Sequence, residues 1–357
     1  MTDIPTTHRA IAPDVRYVIP RIVSSFPSEV HPLYDRTVAS VNARFRPFLL
    51  DYFEERESDS RRTDKFLGQS HPYWGALCFP HILEERFFGF MTWMLATSLV
   101  DDSFADPRIH QVPGEAEALK QSYVALLRGE PYAENRRTRA LAAAVSHYGG
   151  PSSQAVIDRM LRALVDVIES SLRELQGGVS ASFADMDTYL RFRRTNVYGE
   201  WLKPMTEWGL GIDLDERATE AGTLRHLHDL VIDHWILVND IFSFPKELEA
   251  GEDMNCVFLL MDRENLSLQQ SLDHAAALAM ATEQEFVTAR GTLATDHLPP
   301  DHDVRRYLLE LEHMISGNLQ FHRWTSRYHG YTRTDRQQNG SAEQTSLYRR
   351  GDTHNPL

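Results

Sequence analysis

Three carboxylates fall within six residues in Asp101-Asp102-Ser103-Phe104-Ala105-Asp106, at the end of the apolar run FFGFMTWMLATSLV (Phe87–Val100). Carboxylates crowded there repel one another and lose hydration, and a divalent cation relieves both costs. Hard oxygen donors of this kind suit Mg²⁺, which keeps several waters and shares its shell with phosphate oxygens. As a merely solvated helix end the cluster would oppose the helix macrodipole. A second donor set stands in WILVNDIFSFPKELEAGED, where Asn239, Ser243 and Glu247 are spaced i, i+4, i+8. At about 100° per residue these three drift only about 80° around a helix, so an amide, a hydroxyl and a carboxylate project from one face. The apolar Trp235–Val238 just before them suggests that this face looks into a lined cavity. Lys246 sits beside the set as a point charge for phosphate. Pro245 removes one helical hydrogen bond and is expected to kink or end the helix.

Basic residues complete the picture. Arg191, Arg193 and Arg194 cluster in YLRFRRTNVYGEW, and Arg327-Tyr328 closes the last patterned stretch. Guanidinium groups grip a diphosphate in a bidentate way that lysine cannot copy. Singly, each feature has a plain reading as a charged helix end, a polar helix face or a surface arginine. Together they describe a metal-plus-arginine clamp for a diphosphate.

Helices must hold these groups. Segments such as VHPLYDRTVASVNARFRPFLLDYF, SSQAVIDRMLRALVDVIESSLREL and LRHLHDLVIDHWILVNDIFSF carry apolar residues at three- and four-residue spacing, and strand alternation is scarce. Gly149-Gly150-Pro151, Gly177-Gly178 and Pro299-Pro300 separate helical runs. The expectation is an all-α protein: a flexible arm over 1–20, one helical domain over 21–331, and a polar disordered tail over 332–357. Apolar residues make up 42% of the 357 residues, enough for a large core and too many for a disordered chain. The net charge of −14 leaves no basic footprint for nucleic acid. Cys78 and Cys256 form no C-x-x-C pair, which argues against a thiolate zinc site and for a reducing cytoplasm. The first residues lack the apolar run of a signal peptide, and Phe87–Val100 is too short to span a bilayer, so no stable membrane insertion is expected.

The motifs resemble those of one family. DDSFAD is similar to the aspartate-rich motif of bacterial-type class I terpene synthases (terpene cyclases), and NDIFSFPKE to their N-D-x-x-S-x-x-x-E metal motif with the lysine before the glutamate. Arg193, 46 residues before Asn239, stands where that family places its diphosphate-sensing arginine, and Arg327-Tyr328 resembles its C-terminal pair. The likeness covers about residues 30–330. It implies a helical bundle around a deep apolar cavity, with Asp101 bridging Mg²⁺ ions and Asp102 and Asp106 in or near the shell. Asn239, Ser243 and Glu247 would hold another of three Mg²⁺ ions. Arg193, Lys246, Arg327 and Tyr328 would hold the diphosphate of a linear isoprenyl substrate. A helix break after Arg193 would make Asn196 a linker and turn the Val197 carbonyl to the substrate. Phe90, Trp93, Trp235, Phe242, Phe321 and Trp324 are candidate aromatic walls for a carbocation, although plain core packing is the commoner reading of each. An antiparallel homodimer is a family expectation.

Relatives commonly carry an aromatic residue three or four positions before the first aspartate; here Thr97 and Ser98 stand there, and Val197 is small. Smaller walls favour a twenty-carbon substrate, whereas the family at large favours fifteen carbons, and the two stay open. Two other enzyme classes compete. A chain-elongating prenyltransferase would carry a second aspartate-rich motif in place of Asn239…Glu247. A His-Asp metal phosphohydrolase is suggested by His226, His228 and Asp229 in HLHD.

Overall fold

The computed structural model describes residues 11, 15–106, 108–147, 153–177, 183–214, 222–293, 295, 298–329 and 347–349. The fold is all-α, as its sequence periodicity requires. Helix α1 (Tyr34–Phe53) leads to the short α2 (Arg61–Gly68) and α3 (His71–Cys78). Helix α4 (Glu84–Ala105) is buried on nearly every side from Arg86 to Phe104. A helix without a polar face must lie inside the bundle. Around it come α5 (Arg108–Gln111), α6 (Glu115–Leu127), α7 (Arg136–Val145) and α8 (Gln154–Gly177). Next are α9 (Met186–Asn196) and α10 (Gly199–Leu210), then α11 (Thr223–Ala250) and α12 (Cys256–Arg263). The chain closes with α13 (Leu268–Gly291), α14 (Asp303–Trp324) and α15 (Ser326–His329). Helix α11 packs along α13 and α14, α3 lies against both α14 and α4, and α10 packs on α8. Among the described residues no helix is long and apolar enough to cross a membrane.

Two local features set the site. The first is the break between α9 and α10. Tyr198 adopts a left-handed φ of 67° there. A Cβ on the following Gly199 would lie 2.5 Å from the Arg194 carbonyl and 2.5 Å from Ile232. Only glycine lets the chain turn so close to α11. The second is the C-terminal half of α11. Pro245 neither ends it nor separates the donor set, because the helix continues to Ala250 and stops at Gly251 in the left-handed conformation. Buried Phe244 and Leu248 flank the proline. Packing on both sides offsets the one lost hydrogen bond.

The described part of the amino-terminal arm is extended and packed. Strand β1 (Arg16–Val18) pairs antiparallel with β2 (Leu347–Arg349), and Tyr17 is buried edge-on against Phe244. Of the expected polar tail, 332–346 and 350–357 lie outside the described residues.

Candidate active site

One cavity of about 610 Å³ opens between the C-terminal end of α4 and the C-terminal half of α11. Its body is apolar, formed by Trp74, Met94, Trp201, Leu202, Trp235, Ile236 and Phe321. Its mouth carries Asp101, Asp102, Asn239, Lys246, Glu247, Arg327 and Tyr328, with Arg193, Asn196 and Val197 at the helix break. Stretches 138 residues apart in sequence, at Asp101 and Asn239, therefore face one space. Burial pushes the Asp102 carboxyl above its ordinary range, against the opposing pull of Arg327. Glu247 is pushed up to about 7 by burial, with Lys246 opposing.

Hydrogen bonds orient the donors. The Nδ1 atom of His322 lies 2.8 Å from the Asn318 carbonyl, which can only accept, so Nδ1 carries the proton and Nε2 accepts. The amide nitrogen of Asn239 must then point at His322 Nε2, 3.0 Å away, and it also donates to the Tyr328 hydroxyl at 3.0 Å. That leaves the amide oxygen of Asn239 free as a ligand. The His322 ring stacks on Tyr328 with centroids 5.4 Å apart. Glu247 accepts from Asn255 at 2.8 Å. The Ser243 hydroxyl, buried and facing Glu247, makes no hydrogen bond of good geometry. Arg193 donates to Asn196 at 2.5 Å and to the buried Asp240 at 3.3 Å. Arg327 donates to Gln69 at 3.0 Å, and Lys246 pairs with Glu252 at 3.4 Å.

Several residues expected at the site lie elsewhere. Asp106 does not line the cavity; Arg108 and Arg137 each hold its Oδ2 at 2.8 Å. Phe90 and Trp93 are fully buried core, packed on Phe79 and Trp201 at 4.9 and 5.8 Å. Phe242 and Trp324 also lie off the cavity wall. Arg191 is exposed beside Asp187, and Arg194 is bound to Asp229 and Asp233, so Arg193 alone of the three arginines reaches the cavity. Thr97, Ser98, Trp235 and Phe321 do line it. The sequence reading missed Trp74, stacked on Trp235 at 5.1 Å, as well as Tyr198 and Trp201. The Tyr198 hydroxyl donates to the Thr97 carbonyl at 3.0 Å, so the α9–α10 break supplies an aromatic ring beside the small Thr97.

A model of terpene synthase family 2, C-terminal metal binding, matches residues 92–285, just over half of the chain. The chain belongs to the terpene synthase family. Microbial terpene synthase-like protein 13 of Selaginella moellendorffii is 26% identical over 309 residues, covering 84% of each chain. The (3S,6E)-nerolidol synthase of Selaginella moellendorffii is 23% identical over 323 residues, covering 88% of this chain and 84% of its own. Pristinol synthase of Streptomyces pristinaespiralis reaches 32% identity over 149 residues, 40% of each chain. A solved hedycaryol synthase shares the fold, with a TM-score of 0.70 at 21% identity over 86% of this chain and 98% of its own.

The enzyme is thus a class I terpene cyclase that uses a divalent metal, and its site fits such ions. Hard oxygen donors converge at the mouth from Asp101, Asp102, Asn239 and Glu247; Ser243 does not line the cavity and lies buried against Glu247. The phosphohydrolase alternative is not favoured. Both ring nitrogens of His228 are buried without a hydrogen bond, and Asp229 is tied to Arg194 and Arg225. Asp106 acts instead as a clasp at the end of α4. Its carboxyl is lowered to about 2: burial opposes the shift, and hydrogen bonds from Arg108 and then Arg137 overcome it. A depressed carboxyl stabilises the fold above its unfolded value and loses that contribution as pH falls through the folded value. Asp106→Asn is therefore expected to lower the unfolding free energy at pH 7 by about 2 kcal/mol in urea denaturation, with the deficit shrinking from about pH 4 downward.

Proposed function

We propose that this terpene cyclase ionises a linear fifteen-carbon isoprenyl diphosphate in the presence of Mg²⁺ and closes the resulting carbocation into a sesquiterpene. The observation that carries the reading is the convergence of Asp101, Asp102, Asn239 and Glu247 with Arg193, Lys246, Arg327 and Tyr328 on the mouth of one apolar cavity. Asp101 and Asp102 on one side, and Asn239, Ser243 and Glu247 on the other, would hold Mg²⁺, three ions in all. Mg²⁺ held by these residues would supply charge neutralisation for the diphosphate leaving group. Arg193, Arg327, Lys246 and the Tyr328 hydroxyl bind the leaving group. Donors aimed in advance at developing charge contribute about 3–4 kcal/mol each. Asp240 and Asn196 hold Arg193 in place, and Val197, which lines the cavity at the helix break, would offer its carbonyl to the nascent cation.

Below the mouth the wall excludes water, which would quench a cation. The aromatic faces of Trp74, Tyr198, Trp201, Trp235 and Phe321 add about 0.5–2 kcal/mol each where the positive charge passes. Tyr198 favours the fifteen-carbon chain, because its ring occupies space that the small Thr97 and Ser98 leave beside Asp101. Similarity to sesquiterpene synthases of Postia placenta and Cyclocybe aegerita supports the same length.

The test is incubation with ten-, fifteen-, twenty- and twenty-five-carbon diphosphates plus Mg²⁺, followed by gas chromatography with mass detection. A cyclic hydrocarbon or alcohol from the fifteen-carbon substrate is expected. Product from the twenty-carbon substrate alone would overturn the chain length. No terpene from any of them would overturn the reading.

A further inference from the structure

A second cluster of metal-ligating side chains lies away from the cavity. The strap 19–31, the turn between α3 and α4, and helix α14 bring Glu29, His81 and His313 together, with one ligand atom from each within 4.8 Å of the others. None of the three lines the cavity, and His313 stands eight residues before Phe321, about 12 Å along α14. We propose that Glu29, His81 and His313 form a binding site for a zinc-class divalent ion, separate from the Mg²⁺ sites of the catalytic mouth.

The donor set is two imidazoles and one carboxylate, the mixture that suits Zn²⁺ and Co²⁺ rather than Mg²⁺. Its outer shell is in place. Glu310, fully buried, takes the backbone N–H of His81 at 2.9 Å and faces His81 Nδ1 at 3.1 Å through the same oxygen. A carboxylate on Nδ1 holds the proton there and turns the Nε2 lone pair outward, as it does behind metal-bound histidines. That lone pair looks at Glu29 Oε2, 3.9 Å away. Without a metal, a proton on Nε2 makes this an ion pair; a divalent ion would take the place of that proton. Donors bound tetrahedrally at about 2.0–2.1 Å lie about 3.3 Å apart, so the exposed Glu29 side chain needs to close by only about half an ångström.

His313 supplies the third arm. It is 3% exposed, its ring lies 5.0 Å from that of His81, and its Nδ1 is buried with no hydrogen bond. The second oxygen of Glu310 is also buried without a partner, so the cluster is not closed as a simple ion pair. The strap that carries Glu29 is pinned on both sides of it: Ser316 donates to the Pro27 carbonyl at 2.7 Å, and the His31 N–H donates to the Ala76 carbonyl at 2.9 Å. A metal here would tie the amino-terminal strap to α14 and to the entry of α4.

The experiment uses the full chain, tag-free and stripped with chelator, titrated with Co²⁺ in excess Mg²⁺. One equivalent of Co²⁺ is expected to give the intense visible absorption of a four-coordinate site, bleached by Zn²⁺, and to raise the thermal midpoint. Oxygen-ligated Co²⁺ in the catalytic mouth is six-coordinate and absorbs weakly, so Asp101→Asn should leave the band intact. Glu29→Ala and His81→Gln alter exposed side chains and should abolish both the band and the thermal shift. Glu310→Gln should weaken Co²⁺ binding about 10–100-fold. Absence of an intense band, or a band that survives in both Glu29→Ala and His81→Gln, would overturn the proposal. Terpene formation is not the readout, so failure here is distinct from failure of the cyclase reading.

Discussion

Replacing His322 by phenylalanine is expected to raise the Mg²⁺ concentration needed for half-maximal activity by about 10–100-fold. The cause lies one step behind the metal. His322 Nε2 accepts a hydrogen bond from the Asn239 amide nitrogen, and its own Nδ1 is committed to the Asn318 carbonyl. This chain of bonds decides which end of the amide would face the ions: the nitrogen turns to His322 and Tyr328, which leaves the oxygen for a metal. Phenylalanine keeps the stacking on Tyr328 and removes the acceptor. The amide can then present its NH₂ group to the ions, which repels them. His322→Gln offers an oxygen in place of Nε2 and should recover part of the affinity. The measurement is initial rate against Mg²⁺ concentration at saturating substrate. A plain structural role would lower the thermal midpoint of both variants alike and leave the metal dependence unmoved.

The pairing of His322 with Asn239 also shows where sequence reasoning stops. Asn239, Ser243 and Glu247 are legible because a helix converts their spacing into one face without help from other elements. Asp101 and Asp102 are legible because they close an apolar run. Along α4 the stripe Met94, Thr97, Ser98, Asp101 lines the cavity. Phe90 lies on the same stripe, yet eleven residues, about 16 Å, below Asp101, where it packs on Phe79 beneath the cavity. Depth along a helix is set by what the neighbouring helices bring, and a single sequence does not encode that locally. Partners on other elements escaped for the same reason: His322 reaches Asn239 across 83 residues and Tyr198 reaches Thr97 across 101. Pro245 misled in the opposite direction, because packing of α11 outweighed one missing hydrogen bond. Asp240 did leave a trace. A charge two residues past the apolar Trp235–Val238 run, on a helix buried along most of its length, must find a partner inside.

That partner makes Asp240 the most consequential residue outside the ligand sets. Its carboxylate is fully buried and accepts from the Tyr189 hydroxyl at 2.6 Å, the Cys256 N–H at 2.8 Å and Arg193 at 3.3 Å. Burial pushes its pKa upward, and Arg193, Tyr189 and Cys256 oppose the shift. Asp240→Ala leaves the Arg193 guanidinium buried without its anion. Breaking a buried pair from one side costs about 3–5 kcal/mol, and in a chain of this length the thermal midpoint should fall by roughly 4–7 °C. Tyr189→Phe removes a single bond to the same carboxylate and should cost about 1–3 kcal/mol. Stability and catalysis then part company in the double variant Asp240→Leu with Arg193→Met. Replacing both charges with apolar groups of similar volume restores stability in other buried pairs, so most of the thermal loss should be regained. Activity should not return, because the arginine aimed at the leaving group is gone, and its loss is expected to lower kcat by about 10²–10³. Thermal unfolding and single-turnover rates on the three variants measure the two effects separately. Recovery of both in the double variant would show that the pair serves the fold alone.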